Sequence, residues 1–338
     1  MEYRILGRTG IRVSPLTLGT MTYGSTTSQD EADKIVATSI DAGINLIDTA
    51  NVYNTGISEQ FVGKAIAKTG LREHIVLATK CHGNMFKDQP LNPNRWGNSR
   101  RQIIQQCEAS LTRLNTDYID LYQIHRPDPH CPIDETMRAL DDLVRSGKVR
   151  YIGCSTFAAW QLVESLWVSE KLSLNRFVTE QPPYNLLDRR IERELIPACQ
   201  HYGLGILPWS PLAGGFLTGK YTRQNTSPKD ARYTNSQNPR VNELMSERCF
   251  DAIEKLQELA RQKDTSLTTL SLAWCMNQPG ITSPIIGPRT LEQLIDNLSA
   301  LNLSITDADR EAIDSIIPPG TFLSHYYDTR SYEYRSGQ

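Results

Sequence analysis

Four residues of the kinds that move protons stand in the first half of the chain. Asp48 ends the apolar run of "NLIDTANVYNTG", Tyr53 follows one short turn later, Lys80 closes "IVLATK" and His125 closes "LYQIH". Each run is short, apolar and β-rich, as a buried strand is. One ionisable group at a strand end needs no function, because strand ends are where charge re-enters water. Three successive strands ending this way point to one shared cleft. An ammonium beside a phenol favours the phenolate and so makes the phenol a better proton donor near neutrality. Lys80 is therefore expected to tune Tyr53, and Asp48 to pair with Lys80, keeping it charged and in place. His125 is expected to donate to the oxygen of a bound carbonyl as negative charge develops there. Such a set suits carbonyl reduction, with the hydride coming from a cofactor because no side chain can supply one.

Groups so far apart in sequence converge only if the elements between them are arranged for it. From residue 17 the chain alternates β-rich runs with longer helical patterns: "TLGTM", "NLIDTA", "IVLATK", "YIDLYQIH", "VRYIGCS", "FVTEQ", "GILPWS" and "TSPIIG". Between them lie amphipathic stretches such as "DEADKIVATSIDAG", "SRRQIIQQCEASLTRLN", "IDETMRALDDLVRSGK" and "TLEQLIDNLSALN", several with Ser, Thr or Asp at the start and Gly or Asn at the end. Eight strands with crossovers predict a parallel sheet closed into a (β/α)8 TIM barrel, whose active sites lie at the C-terminal ends of the strands. A doubly wound sheet would show GxGxxG after its first strand, and the chain has none there. Residues 1 to 16, with "GRTG" between two extended runs, predict an N-terminal β-hairpin closing one mouth. Residues 213 to 245 and the tail from Pro318 predict long loops over the other mouth. The whole of 1–338 is expected to be one domain.

Bulk properties narrow the partners. At 338 residues, roughly three quarters of the unfolded surface can be buried, enough for a large core and a deep pocket. Lys and Arg total 36 against 38 Asp and Glu, a net of −2 without a block of one sign, so neither nucleic acid nor a membrane surface is an expected partner. The expected partner is a small carbonyl compound. Seven scattered cysteines without CxxC spacing read as free thiols in a reducing compartment, and with no apolar run of spanning length the expected location is the cytoplasm. His74, His82, His130, His201 and His325 lack metal-ligand spacing and read as surface or loop residues, so no metal is expected.

The chain resembles the aldo/keto reductases nearly end to end, through "GRTGIRVSPLTLGT", "DTANVY", "IHRPD", "SGKVRYIGCS", "EQPPYN", "WSPLAGGFLTGKY" and "PIIGPRTLEQLIDNL". Its motifs are nearest to bacterial members related to the potassium-channel β subunits. The resemblance implies a catalytic tetrad of Asp48, Tyr53, Lys80 and His125 and an NADP(H) cofactor extended over the barrel mouth. It also implies the cofactor contacts. Ser155 and Gln181 match those to the nicotinamide carboxamide, and Trp209 matches the ring that stacks on the nicotinamide. Thr156 stands where relatives usually carry Asn. Ser210, Pro211, Leu212, Gly215 and Lys220 match the loop over the pyrophosphate. Gln293 and Asn297 match the adenine contacts, and Arg289 the cation for the 2′-phosphate, the three spaced i, i+4, i+8 as if on one helix face. Thr20, Met21, Asp48 and Gly287 complete the set, with Arg232 at the adenine end. "GGFLTGKY" nearly reads as a P-loop, but it ends in Tyr221 where that loop needs a hydroxyl for magnesium, and the match is read as accidental.

The activity so implied is NADPH-dependent reduction of an aldehyde or ketone, by a monomer or a homo-oligomer. Two other readings stand beside it: a regulatory subunit like the potassium-channel β subunits, and an NAD-linked alcohol dehydrogenase running the same site in reverse. Those β subunits carry Asn where His125 stands, which favours turnover here. Arg289 argues against the second.

Overall fold

The computed structural model describes residues 1–85, 93–229, 231–233 and 239–324. A two-stranded antiparallel hairpin, β1 (Arg4–Ile5) and β2 (Arg12–Val13), precedes eight parallel strands. These are β3 (Thr17–Gly19), β4 (Leu46–Asp48), β5 (Val76–Cys81), β6 (Ile119–Ile124), β7 (Val149–Ser155), β8 (Phe177–Gln181), β9 (Gly205–Ile206) and β10 (Ile285–Ile286). Neighbours pair in chain order from β3 to β9, with β10 beside β3. The seam between β9 and β10 is closed by backbone bonds, Thr282 N to Ile206 O at 2.9 Å and Ile285 N to Pro208 O at 2.7 Å. This is the (β/α)8 barrel that the alternating pattern predicts. "GILPWS" and "TSPIIG" yield only two strand residues each, because Pro208 and Pro284 have no N–H to give a ladder.

Among the described residues eleven α-helices cross between strands or pack outside them: α1 (Gln29–Asp41), α2 (Ile57–Thr69), α3 (Arg100–Leu114), α4 (Ile133–Arg145), α5 (Ala159–Lys171), α6 (Leu195–Tyr202), α7 (Pro239–Leu244), α8 (Glu247–Gln262), α9 (Leu267–Met276), α10 (Leu291–Leu298) and α11 (Asp307–Ile316). Their starts are written in the sequence. Ser28, Ser99, Ser266, Thr290 and Thr306 each accept a backbone N–H of the first turn, and α3 ends on Asn115 in the left-handed region. α1 buries Ala32, Ile35, Val36 and Ser39, an i, i+3, i+4, i+7 stripe against the barrel. Truncating such a buried Ile to Ala costs about 2–5 kcal/mol. α9 is buried on every side, which its run of Leu, Ala, Trp, Cys and Met permits.

The hairpin plugs the N-terminal mouth. Leu6 and Val13 pack with Leu46, Val76, Ala78, Leu121, Leu207 and Ile285 in an apolar plug inside the barrel. Gly7 allows the contact, since its φ is +56° and a Cβ there would stand 2.4 Å from Val178 O. With that end sealed, the strand C-termini and the loops after them face the open mouth. The tail residues from His325 on, including most of its aromatics, lie outside the described residues. Among the described residues no helix is long and apolar enough to cross a membrane, and all seven cysteines are free.

Candidate active site

Asp48, Lys80, Gln123 and Gln181 all point into the barrel near its open end. Asp48 lies in register with Ala78, and Lys80, two residues on along the same face of β5, reaches back to it. Lys80 Nζ donates to Asp48 Oδ1 at 2.5 Å, to Thr49 O at 2.7 Å and to Tyr53 Oη at 3.2 Å. The other Asp48 oxygen accepts from Gln181 Nε2 at 2.9 Å and Gln123 Nε2 at 3.2 Å. The ion pair is sealed, with Lys80 at 0% exposure and Asp48 at 2%. Burial is the strongest influence on Lys80 and works against its charge, but Asp48 and Tyr53 outweigh it and hold its pKa above the ordinary value. An ammonium so held stays protonated at any physiological pH.

Tyr53 leaves the end of β4 in a turn where Asn54 and Thr55 take positive φ. Asn54 Nδ2 ties that turn to Met21 O at 3.1 Å and Tyr23 O at 2.7 Å, so the loop after β3 braces the tyrosine. His125 meets Tyr53 edge to face, with ring centroids 5.8 Å apart. Its backbone is anchored by His125 N to Cys81 O at 2.9 Å. Burial, and then the charges of Lys80, Arg126 and His82, push the His125 pKa well below the ordinary value, so the ring is neutral and offers one N–H to a ligand.

These groups open on a cleft of about 1130 Å³, larger than a drug-sized pocket and roomy enough for a dinucleotide and a substrate together. Every expected site residue lines it except Lys80, which is wholly covered. Ser155 and Gln181 are register partners on β7 and β8, and Trp209 follows β9. Past Trp209 the backbone runs through Ser210 (φ +54°), Ala213 (+47°), Gly214 (+67°) and Gly215 (+106°). Ala213 N donates to Ser210 O at 2.9 Å and Gly215 N to Leu212 O at 2.8 Å, so the loop along this side of the cleft is tightly wound. Lys220 stands close enough to Arg289 that, after burial, the guanidinium is what lowers its pKa. Two cations facing one cleft suit a phosphate.

A family model described as the aldo/keto reductase family matches residues 15–318. The chain belongs to that family. It is 42% identical to the uncharacterized oxidoreductase YrpG of Bacillus subtilis over 95% of this chain and 97% of the relative. A putative aryl-alcohol dehydrogenase of Schizosaccharomyces pombe is 39% identical over 91% and 93%. A probable voltage-gated potassium channel subunit beta of Oryza sativa is 36% identical over 94% and 95%. This aldo/keto reductase is thus an oxidoreductase of a family that generally works with nicotinamide cofactors.

The site of this aldo/keto reductase differs from the sequence reading in a few places. Arg289 is not on the helix with Gln293 and Asn297. It precedes the cap Thr290, and its N–H donates to Gln293 Oε1 at 2.9 Å, because Gln293 folds back to cap α10. Arg232 is exposed and reaches Met21 Sδ at 3.8 Å. His82 is a loop residue but not a surface one: it is half-buried, bonded to Asn98 and edge-on to Trp96. Gln123 carries no motif of its own, although it sits two residues before His125 and so on the same face of the chain. Gly153, its register partner, makes room chiefly for Thr179, whose Oγ1 a Cβ there would meet at 2.2 Å, and secondarily for Gln123, whose Cγ would lie at 3.2 Å. Arg126 and Glu180 likewise have no role that their sequence positions alone assign. Glu180 alternates with Gln181, faces away from the cleft, and accepts from Phe157 N at 3.1 Å and Cys154 Sγ at 2.9 Å.

Proposed function

We propose that the protein reduces aldehyde or ketone carbonyls to alcohols with NADPH, and that Tyr53 delivers the proton. The observation that carries this reading is the placement of Lys80 Nζ, which bonds both Asp48 and the phenol oxygen of Tyr53 while fully buried. An ammonium can only donate, so it occupies a lone pair of the Tyr53 oxygen and leaves the phenol's own proton for the cleft. As that proton moves to a carbonyl oxygen, the ammonium stabilises the phenolate left behind. Neutral His125 holds the same oxygen by its N–H and fixes which way the carbonyl faces. The cofactor, when bound, supplies the hydride. Ser155, Gln181 and Trp209 would hold its nicotinamide end, the Ser210–Lys220 loop its pyrophosphate, and Arg289, Gln293 and Asn297 its adenosine end. The tyrosine is then reprotonated from solvent, so that one hydride and one proton make one alcohol.

The aryl-alcohol dehydrogenase named among the relatives makes aryl aldehydes the first substrates to assay. A panel of aryl and aliphatic aldehydes and ketones, followed by loss of NADPH absorbance, tests the reading. Turnover of one class, abolished in Tyr53→Phe, supports it. No turnover of any carbonyl, with tight NADPH binding retained, would instead favour a channel-subunit role of the kind the rice relative's name describes.

A further inference from the structure

The wall of the cleft between β7 and β8 holds a hydrogen-bonded chain whose direction can be worked out atom by atom. Arg126 Nη1 donates to Thr156 Oγ1 and to His125 O, the latter at 3.0 Å. Thr156 Oγ1 lies 3.1 Å from Ser155 Oγ, and Ser155 Oγ donates to Gln181 O at 2.8 Å. A guanidinium only donates and a carbonyl only accepts. Ser155 has one proton and gives it to Gln181 O, so between the two hydroxyls it must be Thr156 that donates. The chain therefore runs from Arg126 through Thr156 and Ser155 to Gln181. Ser155 Oγ keeps one lone pair, facing the cleft that it lines.

The backbone is held in an unfavourable form to achieve this. Thr156 has φ +63°, a left-handed region that is unfavourable for a β-branched residue. The turn is clamped on its far side, where Phe157 N donates to buried Glu180. On its near side the clamp is Arg126, whose guanidinium also lies over the Trp209 ring, 5.8 Å from its centroid.

We infer that Arg126 is a positioning residue for the nicotinamide end of the cofactor site: by donating to the hydroxyl of Thr156 it orients Ser155 Oγ as the acceptor for a carboxamide N–H. This rests on the reading of the cleft as a nicotinamide-cofactor site. It makes the pair Arg126 and Thr156 one unit, so that removing either is equivalent to removing both.

The test is a cycle of Arg126→Ala, Thr156→Val and the double variant. NADPH binding is measured by fluorescence titration, 2′,5′-ADP binding by calorimetry, and folding by thermal melting. Each single variant is expected to weaken NADPH by about tenfold, the size of one charge-assisted hydrogen bond, and to leave 2′,5′-ADP within about twofold. The double variant should be no weaker than the singles, because contacts in one chain are not additive. Arg126→Lys, which keeps a charged donor, should recover most of the affinity.

Unchanged NADPH binding in Arg126→Ala overturns the inference. So do equal losses for NADPH and 2′,5′-ADP, multiplying losses in the double variant, or a lysine no better than alanine. If the parent binds neither NADPH nor NADH, the cofactor reading fails and takes this one with it. If the parent binds and the variants match it, only the role of Arg126 fails.

Discussion

The two ends of the cleft are built differently. At the proton-handling end Asp48 and Lys80 project from strands and are sealed from solvent, both oxygens of Asp48 are bonded, and Tyr53 stands on a turn that Asn54 ties down. At the other end Lys220, Arg232 and Arg289 stand on loops and keep partial or full exposure, and the backbone between Ser210 and Gly215 repeatedly takes positive φ. Chemistry tolerates errors of only a fraction of an ångström, so its groups belong on the ladder of a closed sheet. A phosphate needs charge and N–H groups within a few ångströms, and loops are enough for that. Changes at the first end should therefore strike turnover or the fold, and changes at the second should strike affinity.

The sharpest break is Tyr53→Phe. Loss of a general acid typically costs about 10²- to 10⁴-fold, so turnover should fall that far while the Kd for NADPH changes little. Steady-state rates set beside a fluorescence titration separate the two, and a loss under tenfold would count against Tyr53 as the acid.

Next in size is an effect on stability behind the catalytic wall. Burial pushes the Glu180 carboxyl up to about 7, although hydrogen bonds from Cys154, Phe157 and Thr156 and the charge of Arg126 pull the other way. A group whose folded pKa is raised contributes stability that is full below its unfolded value and is lost as pH rises through the folded one. For Glu180 that window runs from about 4.5 to about 7. Glu180→Gln should flatten the pH dependence there by about 3 kcal/mol at 1.36 kcal/mol per unit. Urea melts of parent and variant at pH 5 and pH 8 measure the difference, and parallel pH trends would show that the carboxyl does not titrate in the fold.

The smallest effect belongs to the loop end. Arg289→Ala should weaken NADPH by roughly tenfold to a hundredfold, leave NADH nearly as before, and spare turnover at saturating NADPH. Equal weakening of both cofactors would mean that Arg289 holds the loop, not a phosphate. The contrast between the two ends would then rest on Lys220 and Arg232.

Much of this is legible in the sequence. Alternation of β-rich runs with capped amphipathic segments is a local signal, set by side-chain period and by which residues satisfy a helix terminus, and it located the eight strands and most of the helices between them. Given a barrel, strand ends are site positions, so Asp48, Lys80 and His125 could be named from their places in three runs. Other features depend on which residues meet across the barrel. Gln123 and Gln181 are ordinary polar residues until closure brings both to one oxygen of Asp48. Gln293 looks like part of a ligand-binding face, and only the backbone path shows its oxygen spent on Arg289 N. Sequence by itself determined the order of elements, the positions of the ionisable groups along them and the resemblance to a family, because these are properties of neighbours in the chain. The tertiary structure decided which lone pairs and protons remain for a ligand, because each polar atom spends its few hydrogen bonds on whatever the fold sets beside it, and residues 30 positions apart in sequence, such as Arg126 and Thr156, become partners only there.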